Sequence, residues 1–405
     1  MAQPVAQPAE PELGEPQFAL HAVVEPIFIV GIMIGSCYVN RLRGYSIRPP
    51  KNQDQGLLGR SKRESRDDED SSDEAYDGQV SLSLLPDSSA TTKRPTKKRN
   101  CCGAVLDMPD TSRYANYWHS RFIQKFPFLV EMFYWVVNLL FYVGIKQISE
   151  LIFATEGVWK TAEKHGIAVL WFEQDGPFSF LFPLREVDVQ MFFRTDHQTM
   201  LTILNRAYSM IHIPVTVSFL AWYYYAAPTH EQFASARRMM QLTNLFSFLV
   251  FTSFPCMPPR LLPEEYGFFD TVRREDAESI YATNKFFNQL AAFPSLHFGY
   301  SFCIGTVLFY HSGIFRRRLA PREKRMSKFR QIFFVVLSII YPAFVLTIIV
   351  STANHYWLDA LAATGVVAMA WLCNRVLLGL LPLEDIFLWC VRLNKPIATT
   401  GNRVF

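Results

Sequence analysis

Long apolar runs recur along the chain, and short polar segments separate them. The runs lie at about residues 18–39, 127–148, 200–226, 242–257, 294–312, 332–352 and 355–380. A helix needs roughly 20 predominantly apolar residues to cross a bilayer, and most of these runs reach or approach that length. The pattern therefore predicts an all-α, multi-pass transmembrane helix bundle of about seven spans.

Two stretches interrupt the pattern. Residues 40–126 are rich in charge and serine, and they include DDEDSSDE and the basic cluster KRPTKKR. That composition predicts a disordered cytosolic insert. The basic cluster is typical of a nuclear signal or of charge beside an anionic membrane, and a multi-pass chain favours the second. Residues 149–198 mix aromatic and charged side chains, which predicts a lumenal, interfacial segment with a short amphipathic helix.

The basic residues predict the orientation of the spans, because Lys and Arg accumulate on the cytosolic side. Residues 1–17 contain neither, whereas Arg41 and Arg43 follow the first span directly. The predicted order is a lumenal N-terminus at 1–17, a membrane anchor at 18–39, the cytosolic insert at 40–126, a membrane-embedded domain at 127–380 and a cytosolic C-terminus at 381–405. The most basic loop, RRRLAPREKR, then lies in the cytosol with the other basic loops.

Composition agrees with a membrane protein, since half of the 405 residues are hydrophobic and 15% are aromatic. The formal net charge of +4 is concentrated in particular loops, so no nucleic-acid partner is implied. The seven cysteines show no metal-ligand spacing. Membrane lipids are the partners that this composition indicates, and nothing in it identifies a protein partner.

His355 and Asp359 are ionisable side chains at the junction of two apolar runs, in STANHYWLDA. A spacing of four residues places both on one face of a helix, about one turn apart. A carboxylate there fixes the tautomer of the imidazole and leaves its other nitrogen free to attack an electrophile. The alternative is a helix-capping Asp beside an interfacial His that water or a neighbouring helix satisfies.

Ser295 and His297 follow Pro294, a residue favoured in the first turn of a helix. Free backbone N–H groups and the positive helix end attract an anion such as phosphate there. Arg260, behind two prolines, has the planar fork that binds phosphate bidentately. The alternatives are a capping serine, an interfacial histidine and an arginine that reaches the membrane surface.

Two polar side chains in the third predicted span carry a weaker signal. Arg206 and His212 are explained adequately by hydrogen bonding between helices. By contrast, Arg260, His297 and the pair at His355 belong to three different span ends that all fall on the lumenal face. Their convergence predicts one site there.

PSLH at 294–297 and HYWLD at 355–359 resemble motifs of the type 2 phosphatidic acid phosphatase superfamily. Together with FPCMPPRLLPEE, they are more similar to its branch of inositol phosphorylceramide synthases and related inositolphosphotransferases. The resemblance covers about residues 200–380. It implies a six-helix phosphatase-like core, an active site on the lumenal face, and a Golgi or endoplasmic reticulum membrane.

The resemblance also implies a role for each matching residue. His355 is expected to be the nucleophile, Asp359 to orient it, and His297 to act as general acid toward the leaving group. Ser295 and Arg260 are expected to bind the phosphate. No metal and no cofactor are expected.

The chain departs from the phosphatase members of this superfamily in two places. Position 253 is Ser where they have a Lys, and Ser351-Thr352 lacks the arginine that accompanies their serine. A phosphate monoester carries close to two negative charges and needs several cationic contacts, while a diester carries one. A single arginine therefore favours a diester headgroup.

These observations predict a lipid phosphotransferase that moves inositol phosphate from phosphatidylinositol, the phospholipid donor, to a lipid alcohol acceptor such as ceramide. The rival within the superfamily is a lipid phosphate phosphatase with water as acceptor. The sequence also leaves open a transporter that relays protons, a zinc site built from the histidines and the carboxylate, and a non-enzymatic membrane scaffold.

Overall fold

The computed structural model describes residues 21–48, 96–101, 104–153, 157–271, 290–316 and 325–401. Helices dominate these residues, and each of the seven predicted spans contains one. In chain order the helices are α1 His21–Val39, α2 Trp118–Lys125, α3 Phe128–Phe153, α4 Val158–Gln174, α5 Glu186–Asp196, α6 Gln198–Ala226, α7 His230–Ser253, α8 Leu296–Ser312, α9 Lys328–Ser351, α10 Trp357–Leu372 and α11 Leu381–Cys390.

The chain divides into two compact units. The larger consists of residues 1–42, 126–377 and 397–405, and the smaller of residues 43–125 and 378–396.

Three helices of the larger unit begin at a side chain that caps them. The side chains of Thr229, Ser295 and Ser327 accept backbone N–H groups at the starts of α7, α8 and α9. Such oxygens satisfy donors that the first turn of a helix leaves free. The caps of α8 and α9 lie within a few residues of the predicted starts of their apolar runs, whereas α7 begins at His230, well before the run predicted from 242.

The main core of the larger unit lies around α8, which packs against α6, α7, α9 and α10. Its centre contains large, fully buried side chains, among them Tyr223, Phe233 and Met240. Gly305 allows the closest approach, since a Cβ there would lie 2.6 Å from the Ser338 carbonyl oxygen of α9. This contact packs the middle of α8 closely against α9.

A second core lies beneath the predicted site. Ala162 and Leu170 of α4 pack with Cys256, Leu262 and the fully buried Tyr356. The sequence predicted only a short amphipathic helix within residues 149–198, and the structure has two helices there, α4 and α5. Because α4 buries one side against the segments around the site, it is part of the scaffold.

Two helical segments are long and apolar enough to cross a membrane, Phe128–Ile145 and Lys328–Ser351. A third span results if Trp357–Leu372 and Val376–Cys390 are counted as one, and Pro26–Val39 is a shorter apolar helix. These counts apply to the described residues alone. The chain is thus a helical membrane protein, and the count of seven spans stays a prediction.

The smaller unit contains an antiparallel hairpin of β1 Thr96–Cys101 and β2 Ala104–Pro109, with Arg99 opposite Leu106. Arg99 Nε donates to Asp385 Oδ2 of α11 at 2.8 Å. The structure therefore does not confirm disorder for 96–101 and 104–125, where it has this hairpin and α2. Composition missed the hairpin because its partner, the buried Asp385, is remote in sequence. The rest of the insert from 49 to 95 lies outside the described residues.

Candidate active site

His355 lies in the turn between α9 and α10 and is 4% exposed. Its Nδ1 lies 2.9 Å from the Ala292 carbonyl oxygen and 3.1 Å from Asp359 Oδ2. Both oxygens are acceptors, so Nδ1 carries the hydrogen and donates to them. Nε2 then presents its lone pair. Among the described residues this buried nitrogen has no hydrogen-bond partner.

Asp359 is fully buried in the first turn of α10. Besides orienting His355, its Oδ2 accepts the backbone N–H of Tyr356 at 3.0 Å. The capping role and the orienting role that the sequence left open for this residue are therefore both present. One carboxylate caps the helix and holds the imidazole, which couples the position of His355 to the start of α10.

Ser295 is the N-cap of α8, and its Oγ accepts the N–H of Phe298 at 3.3 Å. Pro294 precedes this cap, whereas the sequence predicted it in the first turn. The Ser295 N–H donates to the Asp359 carbonyl oxygen at 3.3 Å. The two motifs are thus hydrogen-bonded to each other, although about 60 residues separate them in the sequence.

His297 points its ring toward His355, with 5.8 Å between the ring centroids. Tyr208 of α6 stacks on His297 at 4.2 Å, and its ring centroid lies 6.3 Å from that of His355. His212, one turn further along α6, contacts His297 at 4.5 Å. The structure therefore brings the two predicted histidines together and adds two rings from a third helix.

Tyr208 and His212 were missed as site residues by the sequence reasoning. Their spacing of four residues in an apolar helix was a usable signal, because it places two polar rings on one face. Arg206, the other polar residue considered in that span, is exposed, and none of the contacts described for the site involves it.

Arg260 lies beside the turn that carries His355. Its Nε donates to Asn354 Oδ1 at 2.9 Å, and its backbone N–H donates to the Ala353 carbonyl oxygen at 3.0 Å. Its Nη1 forms an ion pair with Asp270 Oδ1 at 3.0 Å. Arg260 thus stabilises the turn, and Asp270 balances its charge.

A small cavity of about 10 Å³ adjoins the cluster of rings. That is room for about one water molecule, so a lipid headgroup enters only if side chains move. The cavity lies between α6, α8 and α9, and it is lined by Ala207, Tyr208, His212, His297, Tyr341, Val345, Ile348 and Ile349.

No group of three or more His, Cys, Asp and Glu side chains could hold a metal ion in the part of the chain that the structure describes.

Residues 185–321, about a third of the chain, match the family model described as the PAP2 superfamily. The match contains Arg260, Ser295 and His297, while His355 and Asp359 lie beyond its end. Searches among curated proteins and among solved structures found no match. The family match supports the superfamily and indicates a phosphatase-like membrane enzyme.

Proposed function

We propose that this protein is an integral-membrane lipid phosphotransferase that moves a phosphoryl headgroup from a phospholipid to a lipid alcohol through His355. One observation carries the proposal. His355 donates from Nδ1 to Asp359 and Ala292, and its buried Nε2 is left without a partner among the described residues. An imidazole held in this way is a preoriented nucleophile.

In the first half-reaction, the Nε2 lone pair attacks the phosphorus of the donor headgroup and forms a P–N bond. The bond from phosphorus to the glycerol oxygen breaks, and His297 gives that oxygen its proton, so diacylglycerol leaves. Asp359 stabilises the positive charge that develops on the His355 ring. Ser295 and the N–H groups at the start of α8 hold the phosphoryl oxygens.

In the second half-reaction, the hydroxyl group of the acceptor lipid attacks the same phosphorus. His297, now neutral, takes the hydroxyl proton, the P–N bond breaks, and His355 regains its lone pair. The enzyme ends in its starting state. Phosphatidylinositol as donor and a ceramide-like alcohol as acceptor are the substrates proposed on the resemblance described above.

Charge supports transfer of a diester over hydrolysis of a monoester. Arg260 is the cation proposed to bind the phosphate, and its ion pair with Asp270 offsets its charge. Ser253 stands where the phosphatases that the chain resembles have a lysine. A site with so little net positive charge matches a headgroup with one negative charge better than one with nearly two.

A lipid phosphatase of the same superfamily is the second candidate, favoured by the family match itself. It differs in its substrate, which is a lipid phosphate monoester, and in the second half-reaction, where water attacks in place of the lipid alcohol and inorganic phosphate leaves.

The test is an assay of the purified full-length chain with headgroup-labelled phosphatidylinositol and ceramide. We expect label in a new lipid product. Release of all label as water-soluble inositol phosphate would show that water replaces the lipid alcohol as acceptor, and release of inorganic phosphate from labelled phosphatidic acid would establish the phosphatase. His355→Ala should lose both activities, and His197→Ala, an exposed histidine outside the site, should keep them. Full activity of His355→Ala would refute the mechanism.

We also propose that the site faces the lumen. An engineered glycosylation acceptor near residue 278 should then be modified, and one near residue 323 should not. The reverse pattern would place the site on the cytosolic face.

A further inference from the structure

Three carboxyl groups meet at the start of α10. Asp359 accepts the N–H of Tyr356, Glu186 Oε1 of α5 accepts the N–H of Trp357 at 3.2 Å, and Glu173 Oε1 of α4 accepts the N–H of Leu358. These are donors that the first turn of a helix leaves unpaired. Two helices remote in sequence thus complete the cap of the helix that follows His355.

Glu173 and Glu186 are each 1% exposed. Neither has a Lys or Arg partner among the described residues, and each would carry an isolated buried charge if ionised. The two carboxyl groups accept the N–H groups of consecutive residues, Trp357 and Leu358, which brings them together at one helix end. Two ionised carboxylates repel each other there and only accept hydrogen bonds, whereas a proton on one of them allows the pair to share it.

The surroundings of the second carboxyl oxygen of Glu173 fit a protonated carboxyl group. Oε2 is buried and meets no hydrogen-bond donor within the described part of the chain. A proton shared with Glu186 satisfies this oxygen and removes the repulsion between two buried negative charges.

We infer that Glu173 and Glu186 share one proton and act as positioning residues, which hold the start of α10 and, with it, His355 and Asp359 in the reactive geometry. The inference deepens the proposed function and rests on it for the role of His355. The shared proton itself does not depend on the reaction. Glu173 lies outside the residues that match the PAP2 superfamily, so α4 is the element that adds this support.

The titratable groups that face Glu173 are Glu186 of α5, Asp359 and Tyr356 at the start of α10, and Cys256 after α7. Burial, followed by the hydrogen bond and the charge of Glu186, raises the pKa of Glu173 above its ordinary value. The folded chain therefore holds a proton that unfolding releases above the ordinary Glu pKa of about 4.3. The stabilisation by this proton is greatest at acid pH and is lost as the pH rises.

The experiment measures the midpoint of thermal unfolding of the full chain in detergent from pH 5 to pH 9. The wild type should lose stability as the pH rises. In Glu173→Gln the amide donates to Glu186 permanently, so the curve should be flatter. Glu163→Gln, on the same helix but only partly buried, should follow the wild type. If the unfolding midpoints of the wild type and both variants change with pH in parallel, Glu173 and Glu186 do not share a proton.

Turnover of labelled lipid separates positioning from general damage. Glu173→Gln keeps the length and the hydrogen bonds, so it should stay within about 3-fold of wild type at neutral pH. Glu173→Asp keeps the charge and shortens the side chain, and it should lose about 10-fold or more in kcat. A loss of kcat in Glu173→Gln as large as that in Glu173→Asp would refute the positioning role. If the wild type shows no lipid transfer, the proposed function fails, while the unfolding curves still decide whether the proton is shared.

Discussion

The starts of α8 and α10 lie at the same site, but their backbone N–H donors are capped differently. At α8 the neutral Ser295 accepts one N–H, and among the described residues the N–H groups of Leu296 and His297 meet no acceptor. At α10 carboxyl oxygens accept the N–H groups of Tyr356, Trp357 and Leu358. The positive end of the α8 dipole therefore remains open to an anion. At the start of α10, carboxyl groups already surround the positive end of the dipole.

The difference assigns the two ends different tasks. A helix end with free donors attracts an incoming anion, which is the role proposed for α8. A helix start whose first three N–H groups already bond to carboxyl oxygens repels a further anion, and its acidic cap instead fixes the orientation of a neighbouring histidine. The hydrogen bond from the Ser295 N–H to the Asp359 carbonyl oxygen holds the two helix starts beside each other.

The largest effect is expected at the α10 end, from Asp359→Asn. The amide oxygen still accepts the Tyr356 N–H, so the chain should fold. The neutral side chain still accepts from His355 Nδ1, but it does not stabilise the positive charge that develops on the ring. We expect kcat to fall by about 100-fold or more, with little change in the unfolding midpoint. Wild-type turnover in this variant would show that the carboxylate serves only as a helix cap.

The next effect comes from making the α8 end acidic with Ser295→Asp. Aspartate is as good an N-cap as serine, so α8 should still form. Its negative charge repels the phosphoryl group, and we expect kcat/KM to fall by about 10 to 100-fold. Ser295→Asn is the matched control, because it has the same size and caps without charge. Equal losses of kcat/KM in Ser295→Asp and Ser295→Asn would show that the positive end of α8 does not bind the phosphate.

Most features at the start of α8 were predictable from the sequence, but only some of those at the start of α10 were. Apolar runs located both helices, and the spacing of His355 and Asp359 was enough to pair them. The acidic cap was not predictable, because Glu173 and Glu186 are ordinary charges in a segment whose aromatic and charged composition indicated an interface. Their burial depends on how α4 and α5 pack in three dimensions, which no local pattern encodes.

The rings around His297 show the same limit. Tyr208 and His212 place two polar rings on one face of an apolar helix, and hydrogen bonds between helices explain such residues equally well. Only the packing of α6 against α8 reveals that they contact His297. The strands β1 and β2 were missed for a related reason, since Arg99 of β1 pairs with Asp385, which is remote in sequence.

A smaller effect is expected from Gly166→Ala in α4, which supports the α10 end. A Cβ there would lie 2.8 Å from both the Met257 carbonyl oxygen and the Tyr356 hydroxyl, so the turn before α10 has to shift. Overpacking of this kind costs about 1–3 kcal/mol of stability. Gly365→Ala in α10 is the control: no atom lies within 4 Å of the added Cβ, and alanine favours the helix by up to about 1 kcal/mol. Thermal unfolding of both variants tests the contrast, and equal midpoints would show that α4 does not brace this end.

The smallest effect is expected at the α8 end from His212→Gln. The His212 ring contacts His297 at 4.5 Å and Tyr300 at 5.2 Å, so it restrains the proposed general acid without touching the phosphorus. Ring contacts of this kind are worth about 0.5–1.5 kcal/mol, which corresponds to a loss of about 3 to 10-fold in kcat. Tyr208→Phe keeps the other ring on His297 and should change kcat by less. A loss in His212→Gln as large as that in Asp359→Asn would contradict a restraining role, because it would place His212 among the groups that transfer the proton.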